Sequence, residues 1–133
     1  MVVREILHAH VPYLTKESTV RDAVDKMDIY QFPVLVVVDK EGSPKGVLTE
    51  GDLCRAVSAS GGIIRIASQP AYRYATKNPT CVHPNMEVSD ALELMLSSGL
   101  TVLPVVEEKM LLGVVLRVDL MHAILLDVPP STS

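Results

Sequence analysis

Apolar residues fall at i, i+3, i+4 and i+7 twice along the chain: at Val20, Ala23, Val24 and Met27, and again at Val88, Ala91, Leu92 and Met95. That spacing lays one apolar stripe along a turn of 3.6 residues and predicts two amphipathic helices. Residues 34–38 run Val-Leu-Val-Val-Val with no polar interruption, which predicts a strand buried on both faces. The next six, Asp-Lys-Glu-Gly-Ser-Pro, are a turn by composition. An apolar strand resumes over 46–48, and a helix follows over about 50–58. After the second stripe the order returns as a strand at 102–106, a shorter turn at 107–109, a strand at 111–115 and a helix at 117–126. Short apolar segments near 13–15 and 81–83 precede the two stripes. Each half therefore reads β-α-β-β-α.

The halves also match residue by residue. Val20, Asp22, Ala23 and Met27 recur as Val88, Asp90, Ala91 and Met95, displaced by 68 positions. Phe32-Pro33-Val34 finds Leu103-Pro104-Val105 at a displacement of 71. The stretch from Gly46 to Leu53 meets the one from Gly113 to Leu120 at a displacement of 67, which Ala56 and Ala123 keep. Small changes of offset fall between elements, where loops absorb insertions. A half of about 50 residues buries too little apolar surface to stand alone. The expectation is an α/β (α+β) fold in which two pseudo-symmetric repeats, 5–60 and 79–127, pack into one module. A linker would run over 61–78, opened by Ser60-Gly61-Gly62. The remaining 128–133, Val-Pro-Pro-Ser-Thr-Ser, read as a disordered tail.

Composition removes several classes of function. The net charge is −4, Trp is absent, and Tyr and Phe together supply five rings, so there is neither a basic footprint nor a stacking platform for nucleic acid. No apolar run approaches the roughly 20 residues of a membrane span, and the start lacks a signal-peptide core; a cytoplasmic protein is expected. Cys54 and Cys81 sit among apolar neighbours and read as buried thiols rather than a disulfide or metal pair. His8 and His10 alternate as on one strand face, but with no third ligand nearby a solvated or capping role is the plainer reading. His83 either points into a cleft or is an ordinary surface or core histidine. The chain contains no nucleophile elbow, no metal-ligand spacing and no Gly-rich phosphate loop, so neither catalysis, a metal nor a resident cofactor is expected.

The duplicated unit, with x-Pro-Val at the first long strand and Gly-h-h-[Ser/Thr]-x-x-Asp leading into the last helix, resembles the CBS (cystathionine-β-synthase) domain family over about residues 5–127. The resemblance implies a regulatory module with two inter-repeat clefts, each taking an adenosine derivative such as AMP, ADP, ATP or S-adenosylmethionine. It implies a homodimer that reports occupancy to a separate effector protein. In the first cleft the implied contacts are Gly46, Val47, Thr49, Gly51 and Asp52, with Thr80, Thr101 and Val102 from the other repeat. In the second they are Val114, Leu116, Arg117 and Asp119, with Pro12, Tyr30 and Gln31 from the other repeat. The family places the aspartate on the ribose hydroxyls and the Ser or Thr beside the phosphates.

The chemistry of these residue types agrees with that assignment without requiring it. A carboxylate has two acceptor oxygens for the two hydroxyls of a ribose diol. A threonine at a strand-to-helix junction can face an anion together with the first-turn N–H groups, and Gly51 lets backbone approach a ligand. Lys45, Arg55, Arg65, Arg73 and Arg117 are the cations available to phosphates in an acidic chain. Equally, Thr49-x-x-Asp52 is a helix-capping arrangement worth about 1 kcal/mol with no ligand at all. In the second repeat Leu116 replaces the hydroxyl residue, so a ligand-free dimerisation or interaction module with vestigial clefts remains the alternative.

Overall fold

The computed structural model of the protein describes residues 1–127, and the tail expected over 128–133 lies outside them. The chain divides into two compact units. One holds His10–Pro79 with Lys109–Leu111; the other holds Met1–Ala9, Thr80–Glu108 and, of the described residues, 112–127.

In the first unit β1 (Tyr13–Leu14), β2 (Val34–Val38), β3 (Pro44–Thr49) and β4 (Thr76–Lys77) form a sheet in that order. β1 runs parallel to β2, with Leu14 opposite Val37, and the other two pairings are antiparallel. Every residue of β2 is buried, as expected for an unbroken apolar run with a strand paired on each side. α1 (Val20–Tyr30) links β1 to β2, and α2 (Glu50–Ser60) follows β3. Val20 and Ala23 of α1 and Leu53 and Ala56 of α2 share a core with Leu14, Leu35, Val37 and Leu48. The α1 stripe is narrower than its spacing predicts. Val24 is 41% exposed, because it lines a hollow with Ile63, Ile64 and Ala67 instead of facing the sheet.

The second unit repeats this plan. It contains α4 (Val88–Ser98), the hairpin of β5 (Val102–Glu107) and β6 (Met110–Leu116, its first two residues counted with the first unit), and α5 (Arg117–Asp127). Val82 makes a parallel bridge to Val105, and His8 an antiparallel bridge to Val114. The order Val82, β5, β6, His8 thus reproduces β1, β2, β3, β4. Leu14 opposite Val37 and Val82 opposite Val105 are the same pair shifted by 68 positions. By that register Val105 stands where Val37 does, so the x-Pro-Val match at a displacement of 71 is not a structural equivalence: Pro33 precedes β2, whereas Pro104 lies inside β5.

Residues 61–78 are not featureless. They carry α3 (Ile63–Ile66), a 3-10 turn at Ala71–Tyr74 and β4, all within the first unit. The opening residues of the chain, in turn, belong to the second unit. Val3 is fully buried there, and the N–H groups of Val3 and Arg4 donate to the carbonyls of Met86 and Pro84 at 2.9 and 2.8 Å. The segment leading into each repeat is therefore built into the unit of the other repeat. Two glycines make room for it. A Cβ on Gly46 would press against Tyr72, Ala75 and Thr76 at 3.1–3.3 Å, and one on Gly113 would collide with the His8 carbonyl oxygen and come within 2.8 Å of Leu7.

Candidate functional site

Thr49 ends β3 and caps α2. Its hydroxyl accepts the N–H of Asp52 at 3.1 Å, and Asp52 Oδ2 accepts the N–H of Thr49 at 2.9 Å. This reciprocal box satisfies first-turn donors that the helix itself leaves unpaired. The other oxygen, Oδ1, accepts from the Arg55 guanidinium at 2.6 Å. Both oxygens of Asp52 are thus engaged by its own helix, and the capping reading is realised in the structure. An ionised carboxylate offers about four lone-pair sites, so two acceptor positions are left over. The side chain borders a hollow of about 420 Å³ lined by Asp52, Arg55, Ala56, Ala59, Ser60 and Tyr74.

The β6–α5 junction repeats half of this box. Asp119 Oδ2 accepts the N–H of Leu116 at 2.9 Å, while Leu116 has no hydroxyl to answer. The same oxygen lies 2.8 Å from His8 Nε2. His8, read in the sequence as solvated or capping, is thus a partner of the second repeat's aspartate.

The structure brings Gly46, Val47, Thr49, Gly51 and Asp52 together at one junction and Val114, Leu116, Arg117 and Asp119 at the other. The side chains of Val47 and Val114 are buried, so these two residues have only backbone to offer. Thr80 and Thr101 are exposed and Val102 is buried, and all three lie in the second unit, apart in membership from Asp52. Pro12 is buried and Tyr30 is 55% exposed. Gln31, which ends α1 with a left-handed backbone, donates its side-chain amide to the Asp28 carbonyl; these three lie in the first unit, as Asp119 does not. Of the cations held available for phosphate, Arg55 is on Asp52, Lys45 is 3.5 Å from Asp39 and Arg73 donates to Gln69. Both cysteines are exposed, not the buried thiols expected. His83 is a surface residue whose Nδ1 accepts the Asn85 N–H. Among the described residues no cluster of three His, Cys, Asp or Glu side chains could hold a metal ion, and no helix is long and apolar enough to cross a membrane.

Two copies of one β-α-β-β-α unit, each ending in a strand-to-helix junction with a carboxylate at the third helical residue, define a duplicated α/β module. The model of the CBS domain family matches residues 3–59 and 71–126, and the chain belongs to that family. It is 32% identical over 92% of its length to an uncharacterised 17.7 kDa protein of Acidianus ambivalens, 73% of which it covers. It is 29% identical to the arabinose 5-phosphate isomerase KdsD of Salmonella typhimurium over 91% of its length, but spans only 37% of that enzyme. Its fold is shared by CBSX2, solved in complex with AMP, with a TM-score of 0.80, 22% identity, and coverage of 94% of this chain and 96% of that one. It is shared equally by the CBS domain pair of MJ0100, solved with 5′-methylthioadenosine and S-adenosyl-L-methionine: TM-score 0.79, 18% identity, coverage 93% and 95%.

Proposed function

We propose that this chain is a cytoplasmic regulatory sensor, without catalysis or resident cofactor, that binds an adenosine derivative at the Thr49–Asp52 junction and passes occupancy to a partner protein. The observation that carries this reading is the placement of Asp52: capped and oriented by Thr49, it still borders a hollow with acceptor capacity unused. A ribose diol would take up the remaining lone pairs and displace Arg55. That arginine is 73% exposed, and a surface pair of this kind stabilises by about 0–1 kcal/mol, so its release costs little. Freed, its guanidinium becomes the cation a phosphate needs. Fold neighbours solved with AMP, 5′-methylthioadenosine and S-adenosylmethionine support the ligand class. A ligand that fits one arrangement of the protein better than another shifts the population toward it, and a homodimer is the form in which a partner would read that shift.

Isothermal titration calorimetry with AMP, ATP and S-adenosylmethionine tests the proposal. Binding by at least one is expected, and Asp52→Ala should weaken it about tenfold to a hundredfold, the scale of hydrogen bonds to a charged group. A second reading, a ligand-free interaction module, has one observation in its favour: Asp52 and Asp119 already have partners within the chain. A melting temperature that no adenosine compound moves at millimolar concentration would decide for it.

A further inference from the structure

We propose that His8 closes the second nucleoside site, so that the native chain takes up one adenosine ligand and not two. The inference rests on the reading just given for Asp52 and extends it to Asp119. His8 Nε2 lies 2.8 Å from Asp119 Oδ2. An ionised carboxylate only accepts, so the imidazole nitrogen is the donor in this contact, and it faces the group that a ribose hydroxyl would seek. That oxygen already accepts the Leu116 N–H. Two donors fill that oxygen, so although Oδ1 keeps its lone pairs, a diol that spans both oxygens finds one of them taken. Each oxygen of Asp52, by contrast, holds only one donor.

The two junctions differ in how their aspartates are held. Asp52 is held by an arginine at the end of a long, exposed side chain. Asp119 is held by a residue whose backbone is fixed: the His8 N–H donates to the Val114 carbonyl at 2.9 Å, and the Val114 N–H returns to the His8 carbonyl at 3.1 Å. Just before it, Val3 is buried and the turn at Val3–Glu5 is tied to Pro84 and Met86. Gly113 admits this segment so closely that no side chain fits there. Arg55 reaches Asp52 on a long side chain that is 73% exposed, whereas the shorter His8 side chain, 41% exposed, hangs from a main chain fixed beside Asp119.

The position of His8 is also informative by symmetry. Thr76 stands opposite Val47 on β3 as His8 stands opposite Val114 on β6. The leading segment passes the binding junction in both repeats, but only in the second does it present an imidazole. Leu116 lacks the hydroxyl of Thr49 and leaves Arg117 alone on the phosphate side of that junction, so an opened second site favours an uncharged nucleoside over a nucleotide.

The test is calorimetric titration of the full chain with AMP and with adenosine, comparing the native protein with His8→Ala, His8→Gln and the double variant His8→Ala/Asp119→Ala. The native chain is expected to bind one ligand, at the Asp52 site. His8→Ala should bind a second, adenosine more tightly than AMP, and the double variant should return to one. His8→Gln, whose amide N–H can still reach the carboxylate, should remain at one. Should the alanine variant lose its circular dichroism, His8→Asn replaces it, being polar but too short to hold Asp119. A stoichiometry of one in His8→Ala, with Asp52-dependent binding intact, overturns the closure and leaves the sensor reading standing. A native chain that already binds a second, Asp119-dependent ligand does the same. Absence of binding in every variant removes the sensor reading and the closure together.

Discussion

Thr19 and Asp22 cap α1 with the same reciprocal hydrogen bonds as Thr49 and Asp52, at 3.1 and 2.8 Å. The pattern Thr-x-x-Asp therefore marks a helix start wherever it occurs, and only its place after β3 distinguishes the candidate site. Capping was legible from residue type and spacing, whereas the partner of Oδ1 was not, because it depends on a rotamer of Arg55. The Asp22 carboxyl is held below its ordinary range, first by the Thr19 backbone N–H, then by the Thr19 hydroxyl, with Lys26 assisting against partial desolvation. Asp39 is lowered likewise, first by the Ser43 N–H against some desolvation, then by the N–H of Glu41 and by Lys45. In both cases the folded state binds a proton less readily than the unfolded chain. The stabilisation is therefore complete above the unfolded value and lost as pH falls through the folded one. Asp22→Asn should lower the melting temperature near neutrality and flatten its decline below about pH 4, measured by circular dichroism across the acid range.

At the scale of elements, the four long strands and four long helices followed from periodicity, because each buries one face against its own sheet. The short strands followed less well. β4 has two residues, both exposed, and its counterpart at His8 is a single bridge, so neither carries an apolar pattern to be read. A trace was present all the same: Val3, Leu7 and His8 stand 68 positions before Ala71, Ala75 and Thr76, the offset already seen in the helices. Hairpin turns differ in length without disturbing the plan. In the second repeat Glu108 and Lys109 both take positive φ, 52° and 69°, the geometry of a two-residue turn that matches strand twist. The close passage of the leading segments makes a graded prediction. Gly113→Ala forces backbone to move and should cost about 1–3 kcal/mol in urea denaturation, in the range of overpacked cores. Gly46→Ala, with its contacts at 3.1–3.3 Å, should cost less. Equal losses, or none at Gly113, would contradict the crossing described here.

At the scale of the molecule, each unit has its own core, and neither is contiguous in sequence. Leu96, Met121 and Leu125 are 55–70% exposed on α4 and α5, which pack together in the second unit. Exposed apolar side chains on these two helices are what the proposed homodimer would cover. Sedimentation velocity should find a dimer, and Leu125→Glu should raise its dissociation constant about tenfold or more, as for a central interface residue. An unchanged sedimentation coefficient would refute the assignment.

What the amino-acid sequence determined alone was the duplication, the type of each long element and the two aspartates at the helix starts, because periodicity and capping are local properties set by spacing of 2 to 4 residues. What tertiary structure decided was membership and occupancy: which unit each leading segment joins, which flank of α1 is left uncovered, and that Asp119 already has an imidazole as partner. Such pairings join residues as far apart as His8 and Asp119, and hydrogen bonds between them arise only when folding has laid His8 along β6, next to the start of α5.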